Sequence, residues 1–348
     1  MGFLHLNRRT FGLTAGVAAA CAAVPALRAQ ARIDKSRITV AVSCKASLAL
    51  LPLTIAEQLD YFREEGLNVV ITDYANGDLA LQAVQAGAAD VCCGAFEKAI
   101  YSQGTGHALR SFVLMGRAPQ ISVGVSKTTL YGFEKLADLK GTRIGVSATG
   151  SSTEMVARLL LAQAGIRPAE VLFVPVGTGE SALSALRAGR IDVLSNTDPV
   201  MTMLEQKGEV KLIADTRTVQ ATQTFFGGNM PAACLFAPQA FLRNNPVAAQ
   251  ALAHAVVHSL KWLQTAGPAD LIKAIPEPYW MGERGLYLAA FNNIRDAVST
   301  DGTVPVDGPA TALSALARID SAFKTDQIDL SQLFTNALAL KAKQRFNA

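Results

Sequence analysis

Histidine, cysteine and tryptophan are scarce in this chain, with four, five and two residues among 348. The cysteines have no C-x-x-C spacing, which argues against a zinc site or thioredoxin-type redox chemistry. His254 and His258 stand at i and i+4, but His254-Ala255-Val256-Val257-His258 lacks the glutamate of a metalloprotease helix. Packing is their expected role, and His107 stands alone. No G-x-S-x-G elbow and no GxxxxGK[ST] phosphate loop occurs. There is also no excess of charge: 32 basic against 28 acidic residues give +4, and no basic run reaches five. That balance excludes a protein that lives by gripping nucleic acid or an anionic membrane. The apolar run that comes nearest to a membrane span, Phe11 to Val24, has 14 residues, where about 20 are needed. With 50% hydrophobic residues and 17% charged, the chain has material for a core in about two domains.

The first 31 residues read as an export signal. Arg8 and Arg9 precede the apolar run, Ala29-Gln30-Ala31 follows it, and no acid occurs in the segment, the order of a cleaved address. Arg8-Arg9-Thr10-Phe11 is similar to the twin-arginine type, with an ordinary Sec signal as the alternative. Cys21 after Ala18-Ala19-Ala20 makes a weak lipid-anchor motif, so release into the periplasm is expected rather than anchoring. Arg8, Arg9 and Arg28 leave with the signal, and the mature part holds 29 basic against 28 acidic residues. Cys44, Cys92, Cys93 and Cys234 then lie in a compartment that permits disulfides.

An internal repeat organises the rest. Ala80-Leu81-Gln82-Ala83-Val84-Gln85-Ala86-Gly87-Ala88-Ala89-Asp90-Val91 matches Ala182-Leu183-Ser184-Ala185-Leu186-Arg187-Ala188-Gly189-Arg190-Ile191-Asp192-Val193 at seven of twelve positions without a gap. Each copy predicts a short helix with Asp78 or Glu180 in its first turn, favouring the helix dipole. The apolar face is expected at Leu79, Ala83 and Val84, and again at Ala182, Ala185 and Leu186. A left-handed C′ glycine ends each helix, and a strand starts at the Asp. Upstream, strands 38–43 and 143–147 precede helices 48–62 and 153–164, and Gly66-Leu67 and Gly165-Ile166 precede strands 68–72 and 171–176. The chain therefore contains a βαβαβ unit twice, each implying a parallel-rich sheet with right-handed crossovers. Segments 110–127 and 227–236 read as paired crossings between lobes. A helical tail follows, with 246–265 its longest piece and 331–343 its last, and it is expected to pack back on the first lobe, with Trp262 and Trp280 in its core.

In open α/β sheets, ligands bind beyond the carboxyl ends of the strands. Those ends carry Ser43, Cys44, Lys45, Gly77, Asp78, Gly94 and Phe96 in the first half, and Gly150, Ser151, Ser152, Thr153, Thr178, Asn196 and Asp198 in the second. Helix N-termini with small hydroxyl side chains suit an oxyanion. Ser152 or Thr153 is the expected helix cap facing the ligand. Lys45 or Arg117 would supply countercharge, whereas Asp78 and Asp198 would repel an anion or bind an amine. Phe96 and Tyr74 are candidates for stacking on a ligand ring. Gly177-Thr178-Gly179-Glu180-Ser181-Ala182 also fits the G-x-G-x-x-A dinucleotide pattern, with Asp198 as its ribose acid, which makes a nucleotide-dependent enzyme one alternative.

Tyr61-Phe62-Arg63-Glu64-Glu65-Gly66-Leu67, the Ala-Gly-x-x-Asp words, the segment Leu136 to Val146 and Gly150-Ser151-Ser152-Thr153 resemble the nitrate/sulfonate/taurine-type substrate-binding proteins of ABC importers, within the NMT1/THI5-like superfamily. The resemblance covers nearly the whole mature chain. It implies an α/β, two-lobed type II periplasmic binding fold: lobe 1 from 32–120 and 235–348, lobe 2 from 121–234. It further implies a cleft that closes on a small, anionic solute, an ABC permease with its ATPase as partners, and no catalysis or cofactor. In the sheet order of that fold the first and third strands are neighbours, which implies a disulfide from Cys44 to Cys92 or Cys93. The superfamily also includes pyrimidine synthases with a cysteine-rich loop, to which Cys92-Cys93-Gly94-Ala95-Phe96 bears a superficial likeness, and a thiamine-pyrimidine-precursor binding protein is a further alternative.

Overall fold

The structure, a computed structural model, describes residues 1–2 and 32–348. The expected export signal, with Arg8, Arg9 and Cys21, lies outside the described residues.

Among the described residues, ten strands form two five-stranded sheets: β1 Arg37–Ser43, β2 Asn68–Tyr74, β3 Val91–Ala95, β4 Leu109–Leu114, β5 Ile121–Ser126, β6 Arg143–Val146, β7 Leu172–Pro175, β8 Val193–Thr197, β9 Val210–Asp215 and β10 Ala233–Pro238. The orders are β2-β1-β3-β10-β4 and β7-β6-β8-β5-β9. In each sheet four strands run in one direction, three of them paired side by side as the βαβαβ units require, and one strand enters antiparallel from the other half, β10 between β3 and β4 in the first sheet and β5 between β8 and β9 in the second. These incoming strands follow the two crossing segments, which bond to each other: the amides of Met115 and Gly116 donate to the Ala233 carbonyl, and the Ala232 amide donates to Gly116.

The repeat has a physical basis in both sheets. Ala80, Leu81, Ala83 and Val84 are buried on helix Gly77–Gln85, and the aligned Ala182, Leu183, Ala185 and Leu186 are buried on helix Glu180–Arg187. Leu79, expected on the inner face, is instead exposed, because it sits in the first turn where its amide donates to the Asn76 cap. Gly87 and Gly189 take φ of 75° and 64°, the left-handed stop that a Cβ disfavours. The repeated Asp caps the neighbouring strand: Asp90 accepts from the Thr39 amide, and Asp192 from the Arg143 amide.

Two helix expectations change. Segment 48–62 is a 3-10 turn at Leu48–Leu50 and helices Leu51–Gln58 and Tyr61–Glu64, split where Asp60 is left-handed at φ 60°. The last helix is Ala337–Phe346 rather than 331–343. Upstream of it, Ser331 turns back onto the Asp329 side chain, and the Asn336 side chain is bonded in both directions to the Val304 backbone. Helix Pro246–Thr265 falls where the sequence places it. Its buried face, with Tyr287, Phe291 and Trp280, joins β1, β3 and β10 in one core, against which Trp262 packs. Helix Gly308–Ile319 instead joins a core with helix Ser152–Gln163 of the second half.

Candidate functional site

The carboxyl ends of β1, β3, β6, β7 and β8 converge on one cavity of about 210 Å³, lined from both sheets. Ser43, Cys44, Gly77, Asp78, Gly94, Gly150, Ser151, Ser152, Thr153 and Thr178, all expected from the sequence, line it. Apolar wall comes from residues such as Leu50, Ile121, Met155 and Phe236.

Three side-chain contacts join the halves across this cavity. The Cys44 Sγ lies 2.9 Å from Thr178 Oγ1. Lys98 Nζ donates to the Gly150 carbonyl at 2.8 Å while holding Asp78 Oδ1 at 2.6 Å. Ser152 donates its hydroxyl to Glu97 Oε1. Gly150 has φ of 71°, and a Cβ there would stand 3.3 Å from Asp78 Oδ2, so glycine both makes the turn and admits the neighbouring carboxylate.

The hydroxyl cluster divides its work. Ser151, rather than Ser152 or Thr153, caps helix Ser152–Gln163 by accepting from the Glu154 amide. Thr153 is buried and accepts from the Ser147 amide at 2.9 Å, tying the end of β6 to the helix. Ser152 is left to reach across to Glu97.

Six expected residues stand elsewhere. Lys45 is bound to Glu57 at 2.7 Å, and Phe96 is wholly buried in the core, its place at the cavity taken by Phe236. Asn196 is buried and positions the loop, its amide donating to the Gly177 carbonyl. Asp198 is buried beside Arg217 and accepts from the Thr202 amide, so it is turned away from the ribose role that the G-x-G-x-x-A pattern assigned to it. Arg117 bonds Asp296, and Tyr74 packs against the core.

The implied disulfide is corrected: Cys44, Cys92, Cys93 and Cys234 are free. Cys92 pairs in register with Ala41, so Cys44 lies two to three residues further along than either cysteine. That offset is about 7–10 Å, and with the inter-strand spacing it exceeds the reach of a disulfide. Burial pushes the Cys92 and Cys93 thiols up, which leaves them inert as nucleophiles.

Glu97 and Lys98 are the site residues that sequence reasoning missed. Both are buried at the start of helix Glu97–Gly104. Burial pushes the Glu97 carboxyl up, opposed by the Ser152 hydroxyl. An acid and a base directly after the apolar strand end Gly94-Ala95-Phe96 were the available signal.

The sequence pattern of the NMT1/THI5 like family matches residues 48–267. YtlA of Bacillus subtilis (strain 168), a binding protein by name, is 22% identical over 239 residues, 67% of this chain and 68% of its own length. A solved structure from Bordetella bronchiseptica RB50 is similar at 47% identity and TM-score 0.88, covering 91% of this chain and all of that one. The alkanesulfonate-binding protein SsuA from Xanthomonas axonopodis pv. citri, bound to MOPS, shares the fold at 15% identity and TM-score 0.66, over 87% of this chain and 99% of its own. The desulfurization enzyme DSZB shares it at 15% identity and TM-score 0.60, over 89% and 99%.

Proposed function

Because this chain belongs to the NMT1/THI5 like family, we propose that it is the solute-binding receptor of an ABC importer. Residues 32–120 with 235–348 form one lobe and 121–234 the other, and a small solute is captured between them and delivered to a permease driven by its ATPase. Residues 1–31 direct export to the periplasm, with twin-arginine export as the finer proposal. Among the described residues no helix is long and apolar enough to cross a membrane.

The observation that carries this reading is the cavity at the strand ends of both sheets, bridged by the Cys44–Thr178, Lys98–Gly150 and Ser152–Glu97 contacts. Contacts made to both halves at once stabilise a closed state over an open one, which is how a ligand shifts such an equilibrium. The fold alone does not separate binding from catalysis, since an enzyme shares it. Here Lys98 and Asp78 hold each other and the thiols are pushed up, which favours binding. The helix N-termini that suggested an anionic solute do face the cavity, but a buried carboxyl group stands beside them.

Protein purified from its native source without denaturation, then unfolded and examined by mass spectrometry, is expected to release one small molecule in near-equimolar amount. Adding that molecule back to refolded protein should raise the melting temperature and shrink the radius of gyration in X-ray scattering. No released solute, together with no response to a broad metabolite screen, would overturn the receptor reading.

A further inference from the structure

Apart from thiols, the ionisable side chains that line the cavity among the described residues are Asp78, Glu97 and Lys98. Lys98 is already committed, to Asp78 at 2.6 Å and to the Gly150 carbonyl at 2.8 Å. Its charge is balanced before any solute enters. Glu97 has no ion-pair partner at contact distance among the described residues: it is 3% exposed, and its carboxyl is met by the neutral Ser152 hydroxyl and its own backbone amide, with Lys98 acting on it only through space. The cavity therefore carries one surplus carboxyl group, placed where both halves meet, among walls that are mostly apolar. A buried carboxylate is costly unless a donor or a cation meets it.

We infer that the solute presents an N–H donor group, uncharged or cationic, to Glu97, and that Glu97 selects against organic anions. The inference rests on the receptor reading and names the chemical class of the solute. An anion enclosed near an ionised Glu97 meets repulsion that a water-poor cavity strengthens. An amine, amidine or amino-heterocycle instead supplies a second, stronger donor beside Ser152 while the rest of the molecule lies against Leu50, Ile121, Met155 and Phe236. The cavity volume of about 210 Å³ suits a compact molecule.

Proton linkage separates the two classes. Glu97 is faced by Lys98 and Tyr101 on its own helix, by Asp78, and, across a neighbouring pocket that shares it, by Glu154, Arg158 and Asp320. Arg158 is bound to Glu154, and Asp78 to Lys98. Asp320 has no ion partner among the described residues either, but it is exposed and lines only the neighbouring pocket; inside the cavity Glu97 is the group that a bound charge will move. A cationic solute favours its ionised form, so its binding releases a proton and tightens as pH rises. An anion favours the protonated form and tightens as pH falls.

The experiment uses the full chain, refolded to remove any carried solute, with two probe sets in thermal shift and calorimetry. Cytosine, benzamidine and agmatine represent donors; ethanesulfonate, benzoate and succinate represent anions. The expected result is stabilisation by a member of the donor set and not by the anions. Glu97→Gln keeps an acceptor for Ser152 and should weaken the donor probe roughly tenfold or more. For a cationic probe the wild type should bind more tightly as pH is raised, a readout that needs no variant. Anions that stabilise the wild type, whether or not Glu97→Gln alters them, would overturn the inference and leave the receptor reading standing. Silence from both probe sets, and no solute released from native protein, would overturn both.

Discussion

At the scale of single residues, burial rather than sequence neighbourhood sets the role. Asp198 reads from sequence as a cavity acid; the structure buries it completely, with Oδ2 3.6 Å from Arg217 and no hydrogen-bond partner. Burial pushes its carboxyl up, and the Arg217 guanidinium pulls against that. Arg217 also holds Asp215 at 2.7 Å and Glu205 at 3.0 Å. Arg217→Met is expected to cost about 3–5 kcal/mol, because it strands a buried charge. Urea unfolding measures the loss, and adding Asp198→Asn should recover part of it. Lys98 and Glu97 illustrate the converse. Adjacent charges in a sequence usually mark a solvated face, and only the packing of their helix start against both halves makes them the chemistry of the site.

At the scale of elements, the C-terminal helix Ala337–Phe346 is held by ionic and aromatic contacts as well as by its small buried face. Lys343 binds Asp301 at 2.8 Å, and Arg345 binds the buried Glu65 at 2.8 Å. The His258 ring stacks between Tyr61 and Phe346, with centroid distances of 3.7 and 4.6 Å. Burial holds His258 below the ordinary imidazole range, against the pull of Glu64 and Glu65. The unfolded chain therefore binds a proton more readily, and stability falls as pH drops through that range. Burial alone would raise Asp301, but Lys343 and Thr303 outweigh it and hold the carboxyl low. Its contribution is present above the ordinary aspartate range and is lost at still lower pH. Protection of residues 337–346 against hydrogen exchange, corrected for the intrinsic exchange rate, should fall between about pH 7 and pH 5, and His258→Phe, which keeps a ring in the stack, should flatten that dependence. A second element, the turn at Gly302, has φ of 80°, with Val257 Cγ2 2.9 Å from where a Cβ would stand. Gly302→Ala combines a disfavoured φ with overpacking, and a loss of about 2–3 kcal/mol in urea unfolding is expected.

At the scale of the whole molecule, the proposed closure would rest on few contacts, so each is expected to matter. Lys98→Met removes the charge-assisted bond from the first sheet's helix to the Gly150 carbonyl. Asp78, half exposed, can be solvated in its absence. The closed population should then fall about tenfold or more. X-ray scattering of the variant should show a larger radius of gyration than the wild type at the same concentration of a binding probe. An unchanged radius would remove Lys98 from the closing mechanism.

The sequence by itself determined the duplicated βαβαβ units, the strand-end location of the cavity and ten of its lining residues. These follow from periodicity, from glycines with positive φ and from an Asp that caps the next strand, all of which are local. It did not decide which charges are buried, and its one helix over 48–62 and the implied Cys44 disulfide are not what the structure has. Only the tertiary structure settled those, because register, burial and the meeting of two sheets are set by residues far apart in the chain. The charge inside the cavity is the clearest case. The near-neutral sequence of residues 32–348, with 29 basic and 28 acidic residues, gives no hint that packing pairs Lys98 with Asp78 and leaves Glu97 as the surplus group.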